Sequence, residues 1–596
     1  LKLTYINFKF YALIVLFLFP AFFSLSAQGV TPPLPPQNRI DEIDKDYDRF
    51  QQEQREDQRL SRQKAIEKEP APVELYPSPP PKISNLGRVE GVDCFELETI
   101  NIEGAVELSE DKRKEILKPF YGKCITSPGI NKLLETITNW YIDNGFVTTR
   151  IYIPEQNIKH GTLTLIVIEG TVQAVIQNDN SFGDRLEVYT SFPLRKDRKL
   201  NMRDIEQGLD QINKVPSNNA ETKILPGDEP GASIIKVVNK QDDKFRAYVE
   251  LSNSLNSNGS PKVNLRAEKD NLFHLNEQIQ YIFGTGVEKS ANEDINRNHA
   301  LYFTIPASYL TFRPSYSYYK SFTNLNIADV KYPYESFTSN VNFYVDYVLA
   351  RWKTSVLTLS AGLIYKDKNT YFADALLYAL SRRTSNMEYA LGYTDRFSSG
   401  FYDLKFSIVQ GTGLFGVPGN DPVNTGPEYP KPRFVKYLLD YSVCKYFDNR
   451  LKFCSNGRLQ LSDSTLYSEE QIGIGDRYTV RGFNRGFFLG DNGFYIRNEL
   501  ALPFYYMGKS EFLRAIWSPE LFVGLDLGYA AKKGGSTLYG NQNDALLSGL
   551  SFGFRNNAKW FNLSLILGLP IAQPKFIWDL EGSGLELYAN LTVKCF

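Results

Sequence analysis

Residues Gln471–Leu500 read QIGIGDRYTVRGFNRGFFLGDNGFYIRNEL, and the fold is decided by how this stretch is read. Gly473, Gly475, Gly482, Gly486, Gly490 and Gly493 disfavour both strand and helix before Gly493. A strand is predicted after it, with Tyr495, Arg497 and Glu499 on one face and Ile496, Asn498 and Leu500 on the other. Near the middle of the loop stands Val480-Arg481-Gly482-Phe483, a cation beside a glycine between apolar groups. A loop arginine in an ordinary domain is a solvated charge. Here the loop is long and lies within a run of amphipathic strands, which favours a buried anchor.

Those strands extend on both sides. Val341, Phe343, Val345, Tyr347 and Leu349 alternate with Asn342, Tyr344, Asp346 and Val348, and Phe561 to Leu569 repeats the pattern. In Leu521–Tyr529 (LFVGLDLGY) one face is Leu521, Val523, Leu525, Leu527 and Tyr529, while the other is Phe522, Gly524, Asp526 and Gly528. A carboxylate flanked by Gly524 and Gly528 leaves room for a bulky group to approach. Membrane strands need roughly 9–11 residues, and the reading from residue 245 to 596 is strand after strand. A soluble sandwich or solenoid is the alternative to a membrane barrel.

Composition favours the barrel. Aromatics are 14%, with 37 Tyr and 40 Phe, yet mean hydropathy is −0.32. That combination suits a polar lumen with aromatic girdles and disfavours a helical membrane protein. A net charge of −1 implies no bulk attraction to nucleic acid. Residues 1–27 read as a signal peptide: Lys2 and Lys9, an apolar run Tyr11–Phe23, then Ser24-Leu25-Ser26-Ala27. Periplasm, outer membrane and medium are the destinations this leaves.

Between signal and barrel the chain changes character three times. Residues 28–92 are Pro-rich spacers flanking a charged segment, Arg39–Glu69, that favours helix. A helix polar all round is either a solvated linker or an occupant of a wet lumen. Residues 93–170 read strand–helix–helix–strand–strand, with Ile130, Leu133, Leu134, Ile137 and Tyr141 on one helical face and Gly145 ending it. Residues 171–240 hold a second α/β unit, with a strand at Val172–Ile176, a helix at Asn201–Asn213 and a closing strand at Ile234–Val238.

The VRGF tetrapeptide, the Gly-Asp turn and YIRNEL resemble the signature of the two-partner secretion transporters (TpsB, the haemolysin secretion/activation proteins) of the Omp85 superfamily. GTLTLIVIEG resembles the end of a POTRA domain, and LNMRDIEQGLDQINKVPSN with LPGDEPGASIIKV resembles the second such unit. The resemblance implies an outer-membrane barrel of about 16 antiparallel strands behind two periplasmic α+β POTRA-like domains, at about 22 residues per strand. It implies that Arg481 pairs with an acid on the barrel wall, for which Asp526 fits, with Arg497 and Glu499 as lumen neighbours. It also implies that residues 39–69 plug the pore. The expected function is secretion of an unfolded exoprotein, held by the POTRA-like domains through β-augmentation, without ATP, enzyme activity or cofactor. Outer-membrane lipid and the barrel-assembly machinery are the other expected partners, with no nucleic acid. An assembly factor of the same superfamily, or a passive porin or receptor, remains as an alternative. The pair's value in a partly wet lumen is set at about 1–3 kcal/mol.

Cysteines are few. An oxidising compartment allows a disulfide between Cys94 and Cys124. Cys444 and Cys454 straddle a turn-like Phe447-Asp448-Asn449-Arg450 and can face each other across a hairpin, leaving Cys595 over. A buried or lipid-facing thiol is the alternative for each, and spacing does not decide. His160, His274 and His299 lack metal-site spacing. Gly411-Thr412-Gly413-Leu414-Phe415-Gly416 matches a dinucleotide loop, but Pro418, Pro422 and Pro427 follow where a helix is required. The last strand, Leu587–Phe596, places Tyr588, Asn590, Thr592 and Lys594 opposite an apolar face, so its terminal Phe596 is out of phase with that face.

Overall fold

The structure, a computed structural model, describes residues 37–67, 73–75, 95–156, 161–253, 261–286, 295–327, 330–419, 429–448, 450–484, 487–504, 516–533, 543–581 and 584–595. The signal-peptide reading, Cys94, His160 and Phe596 lie outside them.

A helix opens the described chain at Gln37–Glu67. The first α/β unit follows. Its sheet orders Thr99–Glu103, Thr162–Ile168 and Arg150–Tyr152, the first pair parallel and the second antiparallel. Helices Glu110–Leu117 and Ser127–Asp143 cover it. Ile130, Leu133, Ile137 and Tyr141 are buried against Ile100, Ile102, Leu163, Leu165 and Val167. That apolar stripe holds the long helix on the sheet at roughly 1.5–3 kcal/mol per buried side chain. Gly145 ends the helix with φ +90°, a conformation that a β-carbon would strain.

The second unit has a four-stranded sheet, in the order Val73–Leu75, Asn218–Pro226, Ala232–Gln241, Thr171–Gln177. Its edge is filled by the chain's own linker, with Val73, Glu74 and Leu75 parallel to Thr222, Lys223 and Ile224. Besides this edge strand, which the sequence reads as a Pro-rich spacer, two elements escape the sequence reading. Helix Phe182–Ser191 carries a capping box between Ser181 and Asp184, but its buried residues are Glu187 and Ser191, so no apolar stripe announces it. They are polar because the helix docks on the barrel: Asn276 donates to the Glu187 carbonyl at 2.9 Å and to Ser191 Oγ at 2.7 Å. Strand Asn218–Pro226 turns Asn218, Ala220, Thr222 and Ile224 inward, too mixed a set to read as alternation.

Sixteen antiparallel strands close a barrel from Phe245–Ser252 to Glu586–Lys594, and a two-residue strand, Ala375–Leu376, extends one of them. The first and last strands pair from Tyr248↔Lys594 to Ser252↔Asn590. Several strands exceed the spanning length. Val330–Arg351 has 22 residues, which carries it well beyond a hydrocarbon core of about 30 Å. Val341, Phe343, Tyr347 and Leu349 are exposed outside, as are Leu521, Val523, Leu525 and Leu527. Trp352, Phe397, Phe447, Phe504, Trp517 and Trp560 ring the end on which the second unit docks. That docking runs through polar side chains onto turn backbone, with Gln207 donating to Ser308 O at 2.8 Å and Arg351 pairing with Asp210 at 2.7 Å. Cys444 and Cys454 are register partners on adjacent strands and are disulfide-bonded, while Cys595 is free and exposed.

Candidate functional site

The lumen holds two inserted elements, the loop between strands Lys452–Ser462 and Asn492–Pro503 and the N-terminal helix. The loop is less irregular than its glycines suggest. Ile472–Ile474 and Phe488–Gly490 pair antiparallel, so the descending and returning limbs form a short hairpin. Glycine here permits close backbone approach and does not prevent pairing. Asp491 closes the base, accepting from Leu466 N and Lys533 N at 2.7 Å each and from Gln471 at 3.0 Å. Asp476 accepts from Tyr478 N, Thr479 N and Thr479 Oγ1 at 2.8–2.9 Å, an Asx-type turn that aims the following residues at the wall.

Arg481 and Asp526 are both 0% exposed. Arg481 Nε and Nη2 reach Asp526 Oδ2 and Oδ1 at 2.6 and 2.7 Å, and the Arg481 backbone N–H adds a third bond at 3.1 Å. Nη1 reaches Glu499 at 2.5 Å. Glu499 in turn accepts from Arg555 at 2.7 and 2.8 Å and lies 3.4 Å from Arg497. A β-carbon at Gly524 would overlap the Arg481 guanidinium, and one at Gly549 would overlap the Arg481 carbonyl. Gly482, at φ +103°, sits where a side chain would strike the Leu569–Pro570 backbone. Val480 and Phe483 bury their side chains among Ile472, Ile474, Ala530, Ala545 and Leu547. The pair is therefore dry, which corrects the partly wet lumen expected from sequence. Planar, bidentate geometry with each guanidinium nitrogen bonded to a carboxylate is what makes such burial tolerable.

The helix touches the inner wall at both ends of the barrel and so runs through the lumen. Tyr47 is hydrogen-bonded to Asn340, Phe50 stacks on Tyr319 at 5.1 Å, and Glu53 takes Lys262 at 2.7 Å. At the opposite end Arg62 meets Asp403 at 2.7 Å and Glu67 meets Lys452 at 2.9 Å. Gln63 lies 3.5 Å from Cys444 Sγ, and Ile66 packs on Phe401 and Cys444. Midway, Glu56 takes Arg497 at 3.2 Å, and Arg497 also donates to Tyr478 O at 3.0 Å. Glu56, Arg497, Glu499, Arg481 and Asp526 thus form one chain of charges from helix to wall to loop and back to wall.

The structure brings together Val480, Arg481, Gly482, Phe483, Asp526, Gly524, Gly528, Arg497 and Glu499. The sequence reading missed Tyr588, whose hydroxyl donates to Phe483 O at 2.7 Å and accepts from Gly482 N at 3.1 Å. An aromatic on the polar face of the last strand was its only signal. Arg555 and Glu56 were missed too, because nothing local marks an arginine or glutamate that finds its partner far along the chain.

The family profile of the haemolysin secretion/activation protein ShlB/FhaC/HecB matches residues 231–556. The ShlB-type POTRA profile matches residues 95–170, and a further POTRA profile matches 171–226. Among similar proteins, the hemolysin transporter protein HpmB of Proteus mirabilis is 28% identical over 423 residues, 70% of this chain and 73% of the relative. The outer membrane transporter CdiB of Dickeya dadantii is 26% identical over 490 residues, 81% and 84% of the two chains. The solved structure of CdiB from Escherichia coli superposes with a TM-score of 0.82 at 23% identity, covering 95% of this chain and 100% of that one.

Proposed function

The chain belongs to the haemolysin secretion/activation protein family ShlB/FhaC/HecB, and on that footing we propose that it receives an unfolded exoprotein in the periplasm and passes it through its barrel to the cell surface without ATP. It is an outer-membrane β-barrel with two POTRA domains on its N-terminal side. One observation carries the proposal: the N-terminal helix is held in the lumen chiefly by ion pairs and hydrogen bonds to a polar wall. Such contacts can be exchanged for water or for a passing polar chain, whereas an apolar plug would resist withdrawal. Folding of the exoprotein outside would supply the direction of transport. An assembly factor is disfavoured by the two POTRA domains, since such factors ordinarily carry more.

The test begins with a deletion strain. One large exoprotein should vanish from the medium while the other outer-membrane proteins keep their levels. That exoprotein, diluted from denaturant onto liposomes carrying the purified chain, should become protease-protected without nucleotide. A strict nucleotide requirement, or general loss of outer-membrane proteins on deletion, would overturn the proposal.

A further inference from the structure

The loop is attached to the wall a second time, on the other side of its root. Just before the hairpin, Glu469 and Glu470 are both nearly buried and lie among four cations from three wall strands. Glu470 takes Lys366 at 2.6 Å, Lys436 at 2.8 Å and the Asn386 amide at 2.9 Å. Glu469 takes Arg382 at 2.7 and 2.8 Å and Lys368 at 3.3 Å. The backbone joins in, with the Glu470 carbonyl accepting from Lys436 at 2.8 Å and from Gln460 at 3.1 Å. These partners stand on Ser355–Phe372, Arg382–Phe397, Val435–Tyr446 and Lys452–Ser462, all before the loop in the barrel order. The partners of Arg481, Glu499 and Asp526, stand on Asn492–Pro503 and Pro519–Ala531, after it. The loop is thus spread over neighbouring strands on both sides of its root.

The loop's contacts with the helix begin between these two attachments, at Gly473, and continue past Arg481 to Asn484 and Phe487. Gln52 donates to Gly473 O at 3.1 Å, and Arg49 donates to Asn484 O and stands 5.4 Å from the Phe487 ring. The other side of the helix meets the early strands through Glu53–Lys262, Phe50–Tyr319 and Tyr47–Asn340. The upper half of the helix therefore occupies a slot with wall on one side and loop on the other. The first limb meets the helix in that slot at Gly473, next to the glutamate clasp.

We infer that Glu469 and Glu470 are positioning residues of the gate: they clamp the first limb of the loop to the wall at the distance that seats the helix. Loosening this clasp frees the helix while the Arg481–Asp526 pair stays closed. The inference rests on the reading of helix and loop as the gate of the transport path. It assigns the two attachments different tasks, with Arg481 holding the tip and the glutamates holding the helix's seat.

The test is single-channel recording in planar bilayers with full-length chain. Glu469→Gln combined with Glu470→Gln keeps shape, removes both charges and leaves four wall cations undercompensated, so the open fraction should rise about tenfold or more. Glu470→Asp should restore part of the closed state. Lys366→Gln with Lys436→Gln, which attacks the clasp from the wall, should open the channel as well. Spin labels at Lys64 and Ser398, in a Cys595→Ser background, should show the helix distance broadening in the double-Gln variant. Heat-modifiable migration of each variant verifies the barrel. A double-Gln variant as closed as wild type, beside a conducting deletion of residues 37–67, overturns the inference alone. A deletion of residues 37–67 that conducts no better than wild type overturns the gate reading beneath it.

Discussion

At Arg481 one guanidinium meets two carboxylates, and a backbone N–H shares one of them. Removing Arg481 leaves Asp526 buried without its cation, which costs about 3–5 kcal/mol, more than a wet pair would, while removing Asp526 leaves Arg481 with Glu499 alone. Arg481→Ala and Asp526→Ala should each cut export at least about tenfold while the barrel still inserts, and the double variant should be little worse than either. Exported protein per folded barrel is the measure, and multiplying losses would show that the two residues act separately. In the first POTRA domain, burial alone would raise the Glu169 pKa, but Lys199 at 2.7 Å, the Glu107 N–H and the Tyr141 hydroxyl together hold it below the ordinary value. A carboxylate held low in the folded state adds stability above its unfolded value, about 4.3, and loses it as pH falls through the folded one. Thermal stability of the two POTRA domains, which this pair joins, should fall below about pH 4, and Glu169→Gln should flatten that dependence. An unaltered slope in the variant would remove Glu169 as the cause. The Arg481–Asp526 pairing was legible through the family resemblance of the VRGF loop, with Gly524 and Gly528 marking Asp526 as the wall carboxylate that has room for it. Glu469, Glu470, Tyr588 and Arg555 were not, since their partners come from strands distant in sequence and an isolated charge or tyrosine looks solvated.

Among the elements, the N-terminal helix is the one whose charge pattern made sense only with its surroundings present. Its acids face Lys262, Arg266, Arg497 and Lys452, and its Arg62 faces Asp403. Deleting residues 37–67 should raise conductance in planar bilayers and leave assembly intact, whereas an unchanged conductance would make the segment a passive occupant. The linker behind it is a second handle. Val73–Leu75 occupies the sheet edge that an extended exoprotein segment would need for strand addition. Glu74→Cys with Lys223→Cys, register partners already linked by a 3.0 Å ion pair, should lock that edge and stop export until a reductant is added. Export at the native rate through the locked form would show that this edge is not used. The helix Phe182–Ser191 was illegible for a related reason, because the face it buries is shaped for polar barrel turns.

On the scale of the whole molecule, the alternation of single strands specified which face meets lipid long before it specified how many strands there are. The count of sixteen came from the family resemblance, and strands as long as Val330–Arg351 show why length alone would have misled. The chain should fractionate with the outer membrane and migrate heat-modifiably, and recovery as a soluble protein would contradict the barrel. The central claim is that the exoprotein crosses through the lumen. Asn340 and Val341 are adjacent in one strand, the first buried inside against the helix and the second exposed on the outer face. A photo-crosslinking amino acid at each position, activated during secretion, samples the inside and the outside of the same wall. Adducts to the exoprotein from position 340 and none from 341 are predicted; adducts from neither, or equally from both, would contradict passage through the barrel.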